Sequence, residues 1–255
     1  MTDLCSINGC LTPFGGGLPE GVYLYQRLRA IDYRPLHMVP HLRLLRDGAR
    51  RLYGRDTELP ARSIADEIGA LLRADGYPAG GATVTLRLYA DGTHVLTADG
   101  VSLYREYALR SLRPSAAVVS CDGYRSEWPT SARRETARWA QLEAERLGAR
   151  CAILCDRDGV VRRVDDAPLF AVHDNVIYAS PDVPDVERML VAEAALRAGI
   201  PLVEQPVGAE QLASFDELFA FDCEGVRSIA SYGGVLYLSL MAERIAAALA
   251  ALPEK

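Results

Sequence analysis

Between Pro40 and Tyr53 the apolar residues Leu42, Leu45, Ala49 and Leu52 recur at the spacing of one helical face, with a proline near the first turn where its missing N–H costs little. Strand signals flank this stripe. Val22 to Ile31 is a β-type run, and Thr83 to Tyr89 with His94 to Ala98 forms a hairpin around Asp91-Gly92. The first half thus mixes helices and strands, with Ser63 to Leu72 as its second helix.

The second half carries its own set of elements. A polar helix over Ser131 to Leu147 precedes the buried strand Cys151 to Cys155, and Asp156-Arg157-Asp158-Gly159 makes a tight turn. Leu169 to Val172 and Val176 to Tyr178 read as a hairpin, followed by a helix from about Pro184 to Ala198. Strands over Pro201 to Pro206, Phe215 to Phe221 and Val226 to Ala230 and a closing helix over Leu236 to Leu252 complete the chain. The expected organisation is an N-terminal α/β domain over 1–121, a linker over 122–130 and a C-terminal α/β domain over 131–255.

Charge and composition exclude several functions. A net charge of -6, with no basic stripe interleaved with aromatics, argues against nucleic acid. The N-terminus lacks the cationic and apolar regions of a signal peptide, and the most apolar stretch, Val235 to Leu252, is broken by Glu243 and Arg244 and is too short to span a bilayer. The expectation is a cytoplasmic protein, and the scattered cysteines suit that compartment. Cys151 and Cys155 read as small apolar filler, with no histidine nearby to build a metal site. His37 and His41 stand four residues apart without an acidic or cysteine partner, so no metal is expected. Lys and Arg total 28, yet the only lysine is Lys255.

Several phrases, in order, resemble the class IV aminotransferases, the family of the branched-chain and D-amino-acid aminotransferases and aminodeoxychorismate lyase. Ser6 to Leu11 resembles the opening "xNG" hairpin, and Tyr23 to Ala30 resembles the "VFExIR" strand with Arg29 at its arginine. Pro35 to Ala49 resembles the "HxxRLxxSA" helix, with His41 in place. Gly148 to Phe170, Ser180 to Arg188 and Ile200 to Glu217 resemble "G…DxxGxxxExxxxNxF", "TP…LPGITR" and "GIxVxE…ADE". The resemblance implies two α/β domains with a cofactor cleft between them, usually in a homodimer. It also implies pyridoxal phosphate on a lysine amine, a carboxylate facing the ring nitrogen, and a phosphate held by an arginine, helix N-terminal amides and hydroxyls.

Position by position, this chain departs from that pattern. The lysine would fall around Pro129 or Thr130, and neither can form an aldimine. The ring-nitrogen glutamate falls on Arg163, a cation where the electron sink needs an anion, with Asp165 and Asp166 as substitutes only if the strand were shifted. The phosphate arginine falls on Leu44, and a phosphate hydroxyl falls near Cys223. The "GIT" loop becomes Asp185-Val186-Glu187, two carboxylates that would cap the helix and repel a dianion. Arg162-Arg163 and Arg133-Arg134 read as solvated faces or, if both line the cleft, as a cationic pocket. Asp216-Glu217 reads as structural.

These departures lead to the expectation of no cofactor, no transaminase activity and a non-catalytic binding or regulatory homologue. The alternatives are a divergent pyridoxal-phosphate-dependent aminotransferase or aminodeoxychorismate-lyase-type enzyme, and a cofactor-independent enzyme acting on a small carboxylate in the remodelled cleft. Tyr25, Arg29, Arg87 and Tyr89 are the candidate ligand contacts. The expected partners are a second copy of the chain and a small acidic ligand or another protein, with neither nucleic acid nor membrane.

Overall fold

The computed structural model describes residues 4–102, 104–121, 127–181 and 184–252, so Lys255 and residues 122–126 of the expected linker lie outside the described residues. The chain divides into two compact units, one running to Arg105 and including Pro129–Ser131, the other holding Glu106–Trp128 and Ala132–Leu252. The mixed α/β class expected from the sequence holds in both.

The first unit is a six-stranded sheet with two helices. Its strands are β1 (Leu4–Ile7), β2 (Cys10–Pro13), β3 (Tyr23–Ile31), β4 (Arg34–Pro35), β5 (Ala82–Tyr89) and β6 (His94–Val101), in the order β2-β1-β6-β5-β3-β4. Helices α1 (Met38–Tyr53) and α2 (Ala61–Ala74) connect β4 to β5. Successive side chains on a strand alternate between faces, so Leu24 and Leu28 of β3 share one face with Leu86 and Leu88 of β5. That face packs on the α1 stripe, where Leu42, Leu45 and Ala49 are buried as the spacing predicts. Each such Leu contributes on the order of 1.5–3 kcal/mol by leaving water. Gly54 ends α1 in the left-handed region (φ 64°), donating its N–H to Ala49 O, a conformation a glycine adopts without Cβ strain.

The outer edge of β3 is finished by a distant piece of chain. Tyr25 N–H donates to Pro129 O at 2.8 Å, Leu24 bridges Thr130, and Tyr23 N–H donates to Ser131 Oγ at 3.4 Å. Residues read from the sequence as part of a linker are therefore pinned to the first sheet by backbone hydrogen bonds.

The second unit opens on β7 (Ser115–Ser120). This strand lies within the 1–121 expected to form the N-terminal domain, yet it pairs in parallel with β8 (Cys151–Cys155) after the crossover helix α3 (Ser131–Arg146). β9 (Val161–Val164) pairs with β8, and β15 (Ser231–Tyr232) and β16 (Val235–Leu236) extend the other edge. A further sheet runs β12-β11-β10-β13-β14, with β10 (Leu169–His173), β11 (Val176–Ala179), β12 (Leu202–Glu204), β13 (Glu217–Asp222) and β14 (Gly225–Ser228).

Ile153, Val161, Ala171, Leu218 and Ala220 interdigitate in one core drawn from both sheets, while Ala140 and Ala144 of α3 cover the outer side of β7 and β8. Helices α4 (Val186–Arg197) and α5 (Leu240–Ala250) pack against the β13 side. The closing helix starts four residues later than its apolar pattern predicts. Gly233 and Gly234, both at positive φ, turn the chain so that Val235–Leu236 pairs with β15. Glu217 then caps α5, its carboxylate accepting Met241 N–H at 2.8 Å and Ala242 N–H at 3.2 Å. The structural reading of Asp216-Glu217 agrees with this geometry, Asp216 Oδ2 accepting Asp174 N–H in the β10–β11 turn.

Candidate functional site

Two groups of charged side chains, one in each unit, hold most of the residues singled out from the sequence. The first lies at the N-terminus of α4. Asp185 is the N-cap residue, with extended backbone (φ -150°), yet its side chain makes no capping hydrogen bond. Instead Oδ2 accepts Arg163 Nη1 at 2.6 Å and Arg133 Nη2 at 3.3 Å, and all three residues are buried. Arg133 also donates Nε to Asp166 Oδ1 and Nη2 to Asp166 O, both at 2.8 Å.

The expectation that Asp185 caps the helix is thus corrected, because two guanidinia outbid the backbone amides for its carboxylate. Burial alone would raise the Asp185 pKa, but the hydrogen bond from Glu187 and the charges of Arg163 and Arg133 hold it well below the usual carboxylate range. Half-buried Glu187 is driven the other way, by burial and by the Asp185 charge, so it keeps its proton and donates it to Asp185.

The paired arginines separate as strand alternation dictates. Arg163 points to α4, while Arg162 donates Nη2 to Asp156 Oδ2 at 2.7 Å. Asp165 sits at positive φ, accepts Ala152 N–H at 2.9 Å and pairs with Arg227, so it does not take over the place of the expected ring carboxylate. Arg133 and Arg163 do converge, but onto an internal anion, and Arg134 is half-buried elsewhere on α3.

The second group is the face of the first sheet opposite α1. Tyr25 lies directly across from Arg87 and Tyr23 from Tyr89, and alternation sends all four to the same side. Tyr23 packs its ring against Tyr25 and Tyr89 at centroid distances of 6.5 and 5.5 Å, with the Arg87 guanidinium 5.5 Å from its centroid. Arg87 is 9% exposed, and its Nε and Nη1 are buried without a hydrogen-bond partner. A carboxylate on this face, Asp99, is taken by Thr85 and by Thr97. Arg29 donates Nη2 to Ser102 Oγ at 2.8 Å and to Tyr104 O. Burial raises the Tyr89 hydroxyl pKa, against the lowering pull of Arg87. Three of the four candidate contacts, Tyr25, Arg87 and Tyr89, thus share a cluster, and Tyr23 is an addition. It was legible as the residue two before Tyr25.

The remaining positions are scattered. Leu44 is half-buried on α1, Cys223 is buried in the β13–β14 turn, and Val186 is buried in the first turn of α4. His41 Nδ1 lies 2.6 Å from Gln26 Oε1, whereas His37 is the left-handed N-cap residue of α1, so the two do different local work. Among the described residues, one group of three, the exposed His173, Asp174 and Asp216, has ligand atoms close enough to share a cation. Burial, then the nearby Asp165, push the Cys151 thiol up to about 12, which suits inert filler. No helix among the described residues is long and apolar enough to cross a membrane.

The fold of this chain recurs among solved structures. The chain belongs to the amino-transferase class IV family, which it matches over residues 24–232. A search of the curated proteins found no match. Among solved structures it is similar to the branched-chain aminotransferase of Thermoproteus uzoniensis with norvaline, at 18% identity and TM-score 0.82, covering 96% of this chain and 92% of that one. A hypothetical aminotransferase from Mycobacterium tuberculosis, in apo form, is similar at 15% identity and TM-score 0.79, covering 97% and 99%. A T.th. branched-chain amino acid aminotransferase complexed with N-(5'-phosphopyridoxyl)-L-glutamate gives 17% identity and TM-score 0.76, covering 96% and 92%.

Family membership overturns the expectation of no cofactor. Pyridoxal phosphate is the group the family implies, and substitutions at single positions do not remove that implication. When bound, it supplies an electron sink for amino-group transfer. The residues present do not fit it in the usual way: no lysine lies within 24–232, Arg163 stands where the ring carboxylate is expected, and Asp185 occupies the α4 terminus.

Proposed function

We propose that this class IV aminotransferase-fold chain does not transaminate through a lysine-bound cofactor and works as a binding or regulatory homologue, a cytoplasmic homodimer that takes a small acidic ligand. The observation that carries this reading is the lack of any lysine within the matched residues 24–232. An arginine cannot stand in, since its guanidinium stays protonated and forms no ordinary aldimine. Any pyridoxal phosphate held there is held by non-covalent contacts.

The ligand-binding half of the proposal is supported by Arg87. Buried polar atoms nearly always find partners, so two guanidinium nitrogens without one, beside three tyrosines, support an outside acceptor. A small carboxylate would receive Arg87, with the rings of Tyr23, Tyr25 and Tyr89 packing its carbon skeleton and Arg29 adding positive charge.

The lysine claim is tested by incubating the full chain with pyridoxal phosphate, reducing with borohydride, and reading intact mass and a peptide map. The expected result is no stoichiometric pyridoxyl adduct within residues 24–232. Amino-group exchange between an amino acid and a keto acid that depends on a reducible adduct, whether it maps to Lys255 or elsewhere, would overturn the reading. Labelling of Lys255 or the terminal amine without such exchange supports it.

A further inference from the structure

The α4 terminus holds an anion that belongs to the chain itself. Asp185 Oδ2 receives both Arg163 Nη1 and Arg133 Nη2, but the tether that brings it there keeps it from capping α4. Arg163, 4% exposed, is left with Nη2 buried and without a partner. Two guanidinia, the positive end of a 12-residue helix and an unused donor thus surround one carboxylate oxygen. Glu187 adds no counter-charge while it keeps its proton.

We infer that Asp185 is an internal plug over a closed anion site, and that removing its charge opens the site to a phosphate monoester. A tetrahedral dianion offers three oxygens where Asp185 offers one. It can therefore accept from Arg133, from both terminal nitrogens of Arg163 and from the first-turn amides together. In the wild-type chain the same dianion must displace a buried, doubly paired carboxylate, which keeps affinity low. The inference goes beyond the lysine question, because inorganic phosphate has no aldehyde to react.

The test compares inorganic phosphate binding, by calorimetry and thermal shift at constant ionic strength, in the wild type, Asp185→Ser and Arg163→Gln/Asp185→Ser. Serine is chosen because its hydroxyl can cap the helix that Asp185 leaves uncapped. The expected result is phosphate affinity at least about tenfold higher in Asp185→Ser than in wild type, a difference of ~1.4 kcal/mol, with the gain lost in the double variant. Pyridoxal phosphate should share the gain and pyridoxal should not. Equal affinity in wild type and Asp185→Ser, a gain that survives loss of Arg163, or an equal gain for pyridoxal would each overturn the inference.

Should the serine variant not fold, Asp185→Asn, which removes the charge at nearly the same side-chain volume, takes its place in the same comparison. Phosphate affinity equal to that of the wild type in a folded Asp185→Asn chain would also overturn the inference.

Discussion

Arg87 and Arg163 are both buried guanidinia of strand residues, and they differ in where their counter-charge comes from. Arg163 reaches a carboxylate 22 residues further along the chain, in the same unit, and shares it with Arg133. Arg87 has an aromatic ring and no ion pair among the described residues, since Asp99 on its own face is occupied by threonines. A buried cation answered from within is part of the architecture until its anion is removed. One left unanswered is, on the function proposed above, open to a ligand. Burial alone would have ranked the two alike.

Three measurements would break or sharpen this contrast. The largest effect belongs to Arg163→Leu, which leaves buried Asp185 one arginine, its 3.3 Å contact with Arg133, and should cost about 3–5 kcal/mol in urea unfolding. A loss within error of zero would mean that the ion network contributes nothing to the fold.

Arg87→Met should behave in the opposite way. With no internal partner to strand, the ligand-free protein should hold or gain stability, because an apolar side chain replaces unsatisfied donors. What it should lose is stabilisation by a small dicarboxylate, worth ~2.7 kcal/mol in the wild type at a hundred times Kd. A thermal-shift series that treats the two proteins alike would end the ligand reading of that face.

The smallest effect is a pH slope. Glu187 keeps its proton in the fold well above its ordinary value of 4.5, while the unfolded chain releases it there. Stability should therefore decline as pH rises from about 4.5 to the raised value and then level off, since the unfolded state sheds its proton first. Asp185 is shifted the other way, so its contribution is present above its ordinary value of 3.8 and is lost only in strong acid. Glu187→Gln should flatten the decline, as read by unfolding between pH 4 and 8 in both proteins. An unchanged slope would show that Glu187 is not the group responsible.

Local features were legible from the sequence and distant pairings were not. The α1 stripe, the Asp91-Gly92 hairpin and the buried Cys151–Cys155 strand follow from spacing, because one face of each element must leave water. Asp185 misled for a physical reason. An aspartate before a helix ordinarily caps it, but arginines at 133 and 163 are stronger partners, and no local rule reports what folds against a residue from afar. The separation of Arg162 from Arg163 was legible, since neighbours on a strand face opposite ways. β7 was assigned to the wrong half because a parallel partner beyond a helix leaves no trace in its own residues.

The segment Pro129–Ser131 along β3 sets an order of events during synthesis. Tyr23, Leu24 and Tyr25 leave the ribosome more than a hundred residues before the backbone that completes their hydrogen bonds. Until then the half-finished strand is an open edge, the kind of surface that pairs with other chains. The early part of this protein must wait for its own later sequence to seal it.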